Sequence, residues 1–104
     1  MKPARKRPEA QKDIEDAVVY YARQSLELSG RFIGEIKVAT GKIEKMSGIG
    51  SLRFSHDLGV PLLRVHPLRD FPYLLLYFER ADHIDLVRVM HSHRDFSKLL
   101  LGIK

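Results

Sequence analysis

The sequence predicts an α+β fold in which an N-terminal antiparallel helical hairpin packs against a small antiparallel β-sheet. Three observations carry that prediction. Apolar residues keep a helical period of about 3.6 through the first half of the chain. The glycine-rich segment Ser47-Gly48-Ile49-Gly50-Ser51 then interrupts them. Beyond it come short apolar runs bounded by glycine and proline, which is the pattern of strands. At 104 residues the chain has room for one core, so residues 1–104 are expected to form a single domain.

Each element has its own signal. Residues 3–8 are poor in apolar side chains and read as a loop or weak edge strand. Pro8 suits the first turn of a helix, and Glu9, Asp13, Glu15 and Asp16 favour the positive end of its dipole. Ile14, Ala17, Val18 and Tyr21 make one stripe, so the spacing predicts a helix to about Ser25. Leu26-Glu27-Leu28-Ser29-Gly30 breaks the rhythm, with Ser29 placed to cap a second helix carrying Phe32, Ile33, Ile36, Ala39, Ile43 and Met46. Gly34 and Gly41 fall on nearly one side of it, where they would let another backbone come close.

The strands follow. Leu62 to Val65 is expected as a strand ending near Pro67. Tyr73 to Phe78 is almost wholly apolar, as in a central strand covered on both faces. Arg80-Ala81-Asp82-His83 makes a tight turn into Ile84 to Met90, which pairs back as a hairpin. Asp95 is placed to cap a short terminal helix holding Phe96, Leu99, Leu100 and Ile103.

Composition narrows the classes of function. A hydrophobic fraction of 44% with 30% charged residues is globular and excludes a disordered chain. The longest apolar run, Tyr73 to Phe78, is far shorter than the roughly 20 residues that span a bilayer. No apolar segment follows Met1-Lys2-Pro3, so a cytoplasmic protein without a signal peptide is expected. The absence of cysteine excludes disulfides and thiolate metal sites. The net charge of +5 favours acidic partners, although neither half is a basic tail. Lys2, Arg5, Lys6 and Arg7 form the tight cationic cluster, suited to a solvated terminus or a protected edge strand.

The stretch Val87 to Phe96 is where core turns into chemistry, since a β-branched run leads directly into His91, His93, Arg94 and Asp95. Pro8-Glu9-Ala10 with Asp13-Ile14, Gly48-Ile49-Gly50-Ser51, Leu63-Arg64, Phe71 to Tyr77, and Ile84 to His91 followed by Arg94-Asp95 occur in an order that resembles the ParE side of the RelE/ParE toxin superfamily. The likeness covers nearly the whole chain. It implies the order β-α-α-β-β-β with a short C-terminal helix, the first strand lying within residues 2–7. It also implies a toxin of a type II toxin-antitoxin module in a hetero-oligomeric complex with a cognate antitoxin, ParD-like or other, whose disordered segment folds on binding. ParE-branch toxins are associated with DNA gyrase and act without cutting a substrate. The RelE branch cleaves messenger RNA in the ribosome, and that is the alternative.

The residues are weighed against both branches. RNA cleavage needs a general acid, a general base and cations at the phosphate. Arg64, Arg69, Arg88, His91, His93, Arg94 and Tyr77 offer those types, but the basic and aromatic cluster of RelE-like nucleases has no counterpart here, so no residue is assigned as catalytic. Arg64, Arg69, Arg88, His91 and Arg94 are the candidate target-binding residues. Each arginine that interrupts an apolar strand needs solvent or a carboxylate such as Asp70 or Asp85. His91 and His93, at i and i+2, share a side of an extended strand but are two ligands only; His66 or Asp95 would have to complete a metal site, so no metal or cofactor is expected. Tyr20 and Tyr21 are the candidate antitoxin-binding pair, of which only one can face the core.

Overall fold

The computed structural model describes residues 1–94, so the expected cap at Asp95 and the helix of Phe96, Leu99, Leu100 and Ile103 lie outside the described residues. Within that range the order is β1 (Ala4–Lys6), α1 (Pro8–Ala22), α2 (Leu26–Lys45), a single 3-10 turn (Ser47–Ile49), α3 (Arg53–Leu58), β2 (Arg64–Pro67), β3 (Tyr73–Glu79) and β4 (Ile84–His91). The strands form one sheet in the order β1-β4-β3-β2. β2, β3 and β4 pair antiparallel as expected, whereas β1 runs parallel to β4 and makes the sheet mixed. A parallel partner needs a crossover, and the helical hairpin supplies it.

Local chemistry explains the boundaries. Pro8 opens α1 with Arg7 extended before it. α2 begins about a turn earlier than expected, because Ser25 and not Ser29 is the cap: its hydroxyl accepts the Leu28 amide at 3.2 Å. Ser29 instead donates to the Leu26 carbonyl inside the first turn. Gly30, Gly34 and Gly41 remain in the helix, and among the described residues nothing comes within 4 Å of where a Cβ would sit on any of them. The close backbone approach expected at Gly34 and Gly41 is therefore not present there.

The glycine whose missing side chain matters is Gly50. A Cβ there would lie 2.6 Å from the Tyr77 hydroxyl. That hydroxyl accepts the Gly50 amide at 2.8 Å and donates to the Ser47 carbonyl at 2.8 Å, locking the loop onto the central strand. Burial raises the Tyr77 phenol above its usual range, so it stays protonated and able to donate.

α3 was not expected, and it displaces the start of the second strand. Its end is signalled by Gly59 at φ 66°, a left-handed terminator with Pro61 soon after. Leu62 also takes a left-handed φ of 67°, which no strand residue adopts, so β2 starts at Arg64.

Two apolar clusters lie on the two faces of the sheet. The larger packs Ile14, Ala17 and Tyr21 of α1 and Phe32, Ile36 and Ile43 of α2 against Leu75, Tyr77, Ile84, Leu86 and Val89. The other holds Leu63, Val65, Leu76, Phe78, Val87 and Met90. The switch on β4 from Leu86 to Val89 on one face, and from Val87 to Met90 on the other, follows a register slip between Leu76 and Tyr77 that leaves Val87 without an opposite residue. This bulge re-aims everything after it, and His91 consequently emerges on the side of α1.

Candidate functional site

β4 ends at His91 and turns through Ser92 to Arg94. The Ser92 amide donates to the Pro72 carbonyl at 2.8 Å, and the Arg94 amide to the His91 carbonyl at 3.0 Å. His91 accepts the His93 amide on Nδ1 at 3.2 Å, which leaves the proton of the neutral ring on Nε2. Its ring stands edge-on to Tyr73 with centroids 5.3 Å apart. Across from it is α1. Between the two lies a cleft of about 190 Å³ whose walls include Asp13, Asp16, Tyr20, Tyr73, His91 and Arg94.

Of the five candidate target-binding residues, only His91 and Arg94 meet in this cleft. Arg88 sits beside it, gripped by Asp13 of α1: Nε donates to Oδ2 at 2.7 Å and Nη2 to Oδ1 at 2.8 Å. Both side chains are largely covered, at 16% and 14% exposure. Asp13 Oδ2 also accepts the Val89 amide at 3.0 Å, so one carboxylate fastens helix to strand through three bonds. Arg64 is on β2, where Nη1 donates to the carbonyls of Gly50 at 2.7 Å and Gly48 at 3.3 Å. Arg69 lies beyond β2, next to α2. The carboxylate that anchors Arg88 is thus Asp13, not Asp70 or Asp85, and no strand-period signal points to a residue on the first helix.

Asp85 holds different cations. Arg7 reaches it with Nε and Nη2 at 2.9 and 2.8 Å, and Arg80 with Nη2 at 2.9 Å. The Arg7 hydrogen bonds in particular hold the Asp85 carboxyl below the usual carboxylate range, with Arg80 adding to them against the opposing effect of burial. Lys2 bonds to Glu79 at 3.1 Å and to the Arg80 carbonyl at 2.9 Å. Half of the N-terminal cationic cluster, Lys2 and Arg7, is accordingly tied to the sheet, while Arg5 and Lys6 are exposed.

The two tyrosines divide as the helical period requires. Tyr21 is 8% exposed and packs on Phe71 and Phe32, with centroids 5.0 and 5.3 Å away. Tyr20 is 58% exposed and lines the cleft of His91 and Arg94. Among the described residues no three histidine, aspartate or glutamate side chains gather as a metal ion would need, and His66 lies on β2, away from His91 and His93.

Residues 5–96 match the family model described as the ParE toxin of the type II toxin-antitoxin system parDE. The chain belongs to the ParE toxin family. Its fold agrees: a solved structure of the chromosomal ParDE toxin-antitoxin system from P. aeruginosa superposes with a TM-score of 0.73 at 17% identity, covering 88% of this chain and 96% of that one. No curated protein sequence matches the chain. For this ParE-family toxin the match includes both α1 with Asp13 and β4 with Arg88 and His91, together with Arg94 in the turn that follows. None of its described helices is long and apolar enough to cross a membrane.

Proposed function

We propose that this toxin arrests growth by binding DNA gyrase and blocking replication, without cutting a substrate, and that a cognate antitoxin neutralises it in a hetero-oligomeric complex in the cytoplasm. The observation that carries the choice of branch is the engagement of the residues a nuclease would need. Arg88 is committed to Asp13, Arg64 to two loop carbonyls and the Tyr77 hydroxyl to Gly50 and Ser47. A phosphate in flight needs cations and proton donors that converge on it. Here His91 and Arg94 share one cleft, with the His93 ring 5.5 Å from that of His91, while Arg64, Arg69 and Tyr77 lie elsewhere. An exposed arginine and a histidine beside an exposed tyrosine suit recognition of a protein better than turnover.

Induced expression without antitoxin tests this reading. DNA synthesis should stop and cells should filament while translation continues, and the purified protein should inhibit supercoiling by gyrase. Immediate loss of translation with codon-phased cuts in messenger RNA would establish the RelE-type activity instead.

A further inference from the structure

A second cleft, of about 470 Å³, separates α2 from the end of β2 and the loop after it. α2 contributes Glu35, Val38, Ala39 and Lys42; the other wall contributes His66, Pro67, Leu68 and Arg69. The Lys42, His66 and Arg69 side chains have no hydrogen-bond or ion-pair partner among the described residues. Glu35, the acid of the set, accepts the Arg69 amide at 3.2 Å and so holds the loop in place. Burial, and then Lys42, push the His66 imidazole below its usual range, as expected in a cleft short of negative charge. Val38, at 57% exposure, offers apolar surface on the rim.

We propose that this cleft is a binding site for an acidic side chain carried on an apolar peptide segment of the partner antitoxin. Lys42, His66 and Arg69 would meet the carboxylate, and Val38 and Pro67 its apolar neighbour. The assignment of the segment to the antitoxin rests on the neutralisation proposed above. Charge selects this occupant, because three unpaired basic groups face one carboxylate that is already engaged. A nucleic acid fits less well: the Glu35 carboxylate repels phosphate, and the lining holds no phenylalanine, tyrosine or tryptophan ring as a stacking platform for bases. A second copy of the chain would bring its own net charge of +5 to a basic surface.

The segment binds here through side chains. The outward amide and carbonyl of Val65 are taken by Ser51, at 2.9 Å each, and Pro67 has no N–H to offer an added strand. Binding is also linked to protons. The charged groups facing His66 are Lys42 and Glu35 from α2 and Arg69 from the loop. Near neutral pH the imidazole is uncharged, and a carboxylate arriving beside it favours the protonated form. Association therefore takes up a proton and tightens as pH falls into the range where the bound imidazole is protonated.

Selection of random dodecapeptides on the purified protein, followed by fluorescence anisotropy with a labelled selected peptide, tests the site. Enriched sequences should place Asp or Glu beside Leu, Ile or Val. The Lys42→Gln/Arg69→Gln variant should bind the peptide at least about tenfold more weakly with an unchanged melting curve, and His66→Asn should flatten the pH dependence. Enriched peptides without acidic residues, equal binding to the double variant, a pH response that survives His66→Asn, or displacement by a single-stranded oligonucleotide would each overturn the proposal. Growth is read separately: the antitoxin should no longer rescue cells making the double variant. Full rescue with peptide binding lost overturns the assignment to the antitoxin, whereas a missing effect on gyrase leaves the cleft intact and overturns only the proposed target.

Discussion

The carboxylate of Asp13 takes two nitrogens of Arg88 and the amide of Val89 at once, joining the first helix to the last strand across a sequence separation of 75 residues. Removing the acid leaves a largely covered guanidinium and an amide without acceptors. Asp13→Ala is expected to cost about 2–4 kcal/mol in urea unfolding. Arg88→Ala should destabilise comparably, and any loss of toxicity in it should follow the loss of folded protein. The paired change Asp13→Leu/Arg88→Met should cost less than the two single changes added together, because no charge is left stranded. A double variant as costly as that sum would contradict this account.

Gly50 and Tyr77 make a second test of packing. Gly50 has φ −71° and ψ 144°, angles open to any residue, so what it supplies is space. Gly50→Ala should cost about 1–3 kcal/mol by overpacking the Tyr77 ring, read from the denaturation midpoint. Tyr77→Phe should cost about 1–2 kcal/mol through the unpaired Gly50 amide. Combined with Tyr77→Phe, the alanine should hurt less than it does alone, since the nearest atom it meets is gone.

These two relationships mark what was legible in the sequence and what was not. Pro8, the apolar stripe of α1, the glycine loop and the Phe71-Pro72 entry to the central strand are local signals, and each element they announced is present. β1 is three residues held by β4 and, at the Ala4 amide, by the Glu44 carboxylate of α2 at 2.7 Å, partners far away in sequence, so its own composition reads as loop or weak edge strand and family likeness placed it. α3 is too short for periodicity, yet Gly59 and Pro61 were available as its stop signal. The bulge at Val87 is invisible to an alternation rule, and it decides which way His91 points. Asp13 looked like one of the acids that suit the positive end of a helix dipole; its task as Arg88's partner depends on a contact no spacing rule reaches.

The tyrosine pair separates stability from binding. Tyr21→Ala should cost about 3–5 kcal/mol, since it empties a site packed by Phe32 and Phe71. Tyr20→Ala should shift stability by no more than about 1 kcal/mol and still weaken antitoxin binding measured by calorimetry. Unchanged affinity would remove Tyr20 from the interface.

Acid should loosen the sheet through Asp85. Its carboxyl lies lower in the folded protein than in the unfolded chain, so its contribution is complete above the unfolded value of about 4. It is lost as pH falls from there through the folded value, when the carboxylate holding Arg7 and Arg80 becomes protonated. Urea midpoints should decline over that acid window in the wild type. Asp85→Asn should be less stable at neutral pH by about 1–3 kcal/mol and should show a shallower acid decline. An identical decline in both proteins would assign the acid sensitivity to other carboxylates.

Arg94 and His91 remain the residues through which the cleft beside α1 would meet a target. The Arg94 side chain is exposed, and the Nε2 proton of His91 has no acceptor among the described residues while Nδ1 is held by the backbone of His93. Arg94→Ala should therefore leave the unfolding midpoint within about 0.5 kcal/mol of wild type. Growth arrest should weaken all the same, and the dose needed for half-inhibition of gyrase should rise by about tenfold, the effect of losing one charged contact worth about 1.4 kcal/mol. His91→Gln, which retains a donor near the position of Nε2, should be milder than His91→Ala. If Arg94→Ala and His91→Ala both inhibit gyrase as well as the wild type, the target is held by another surface of the toxin.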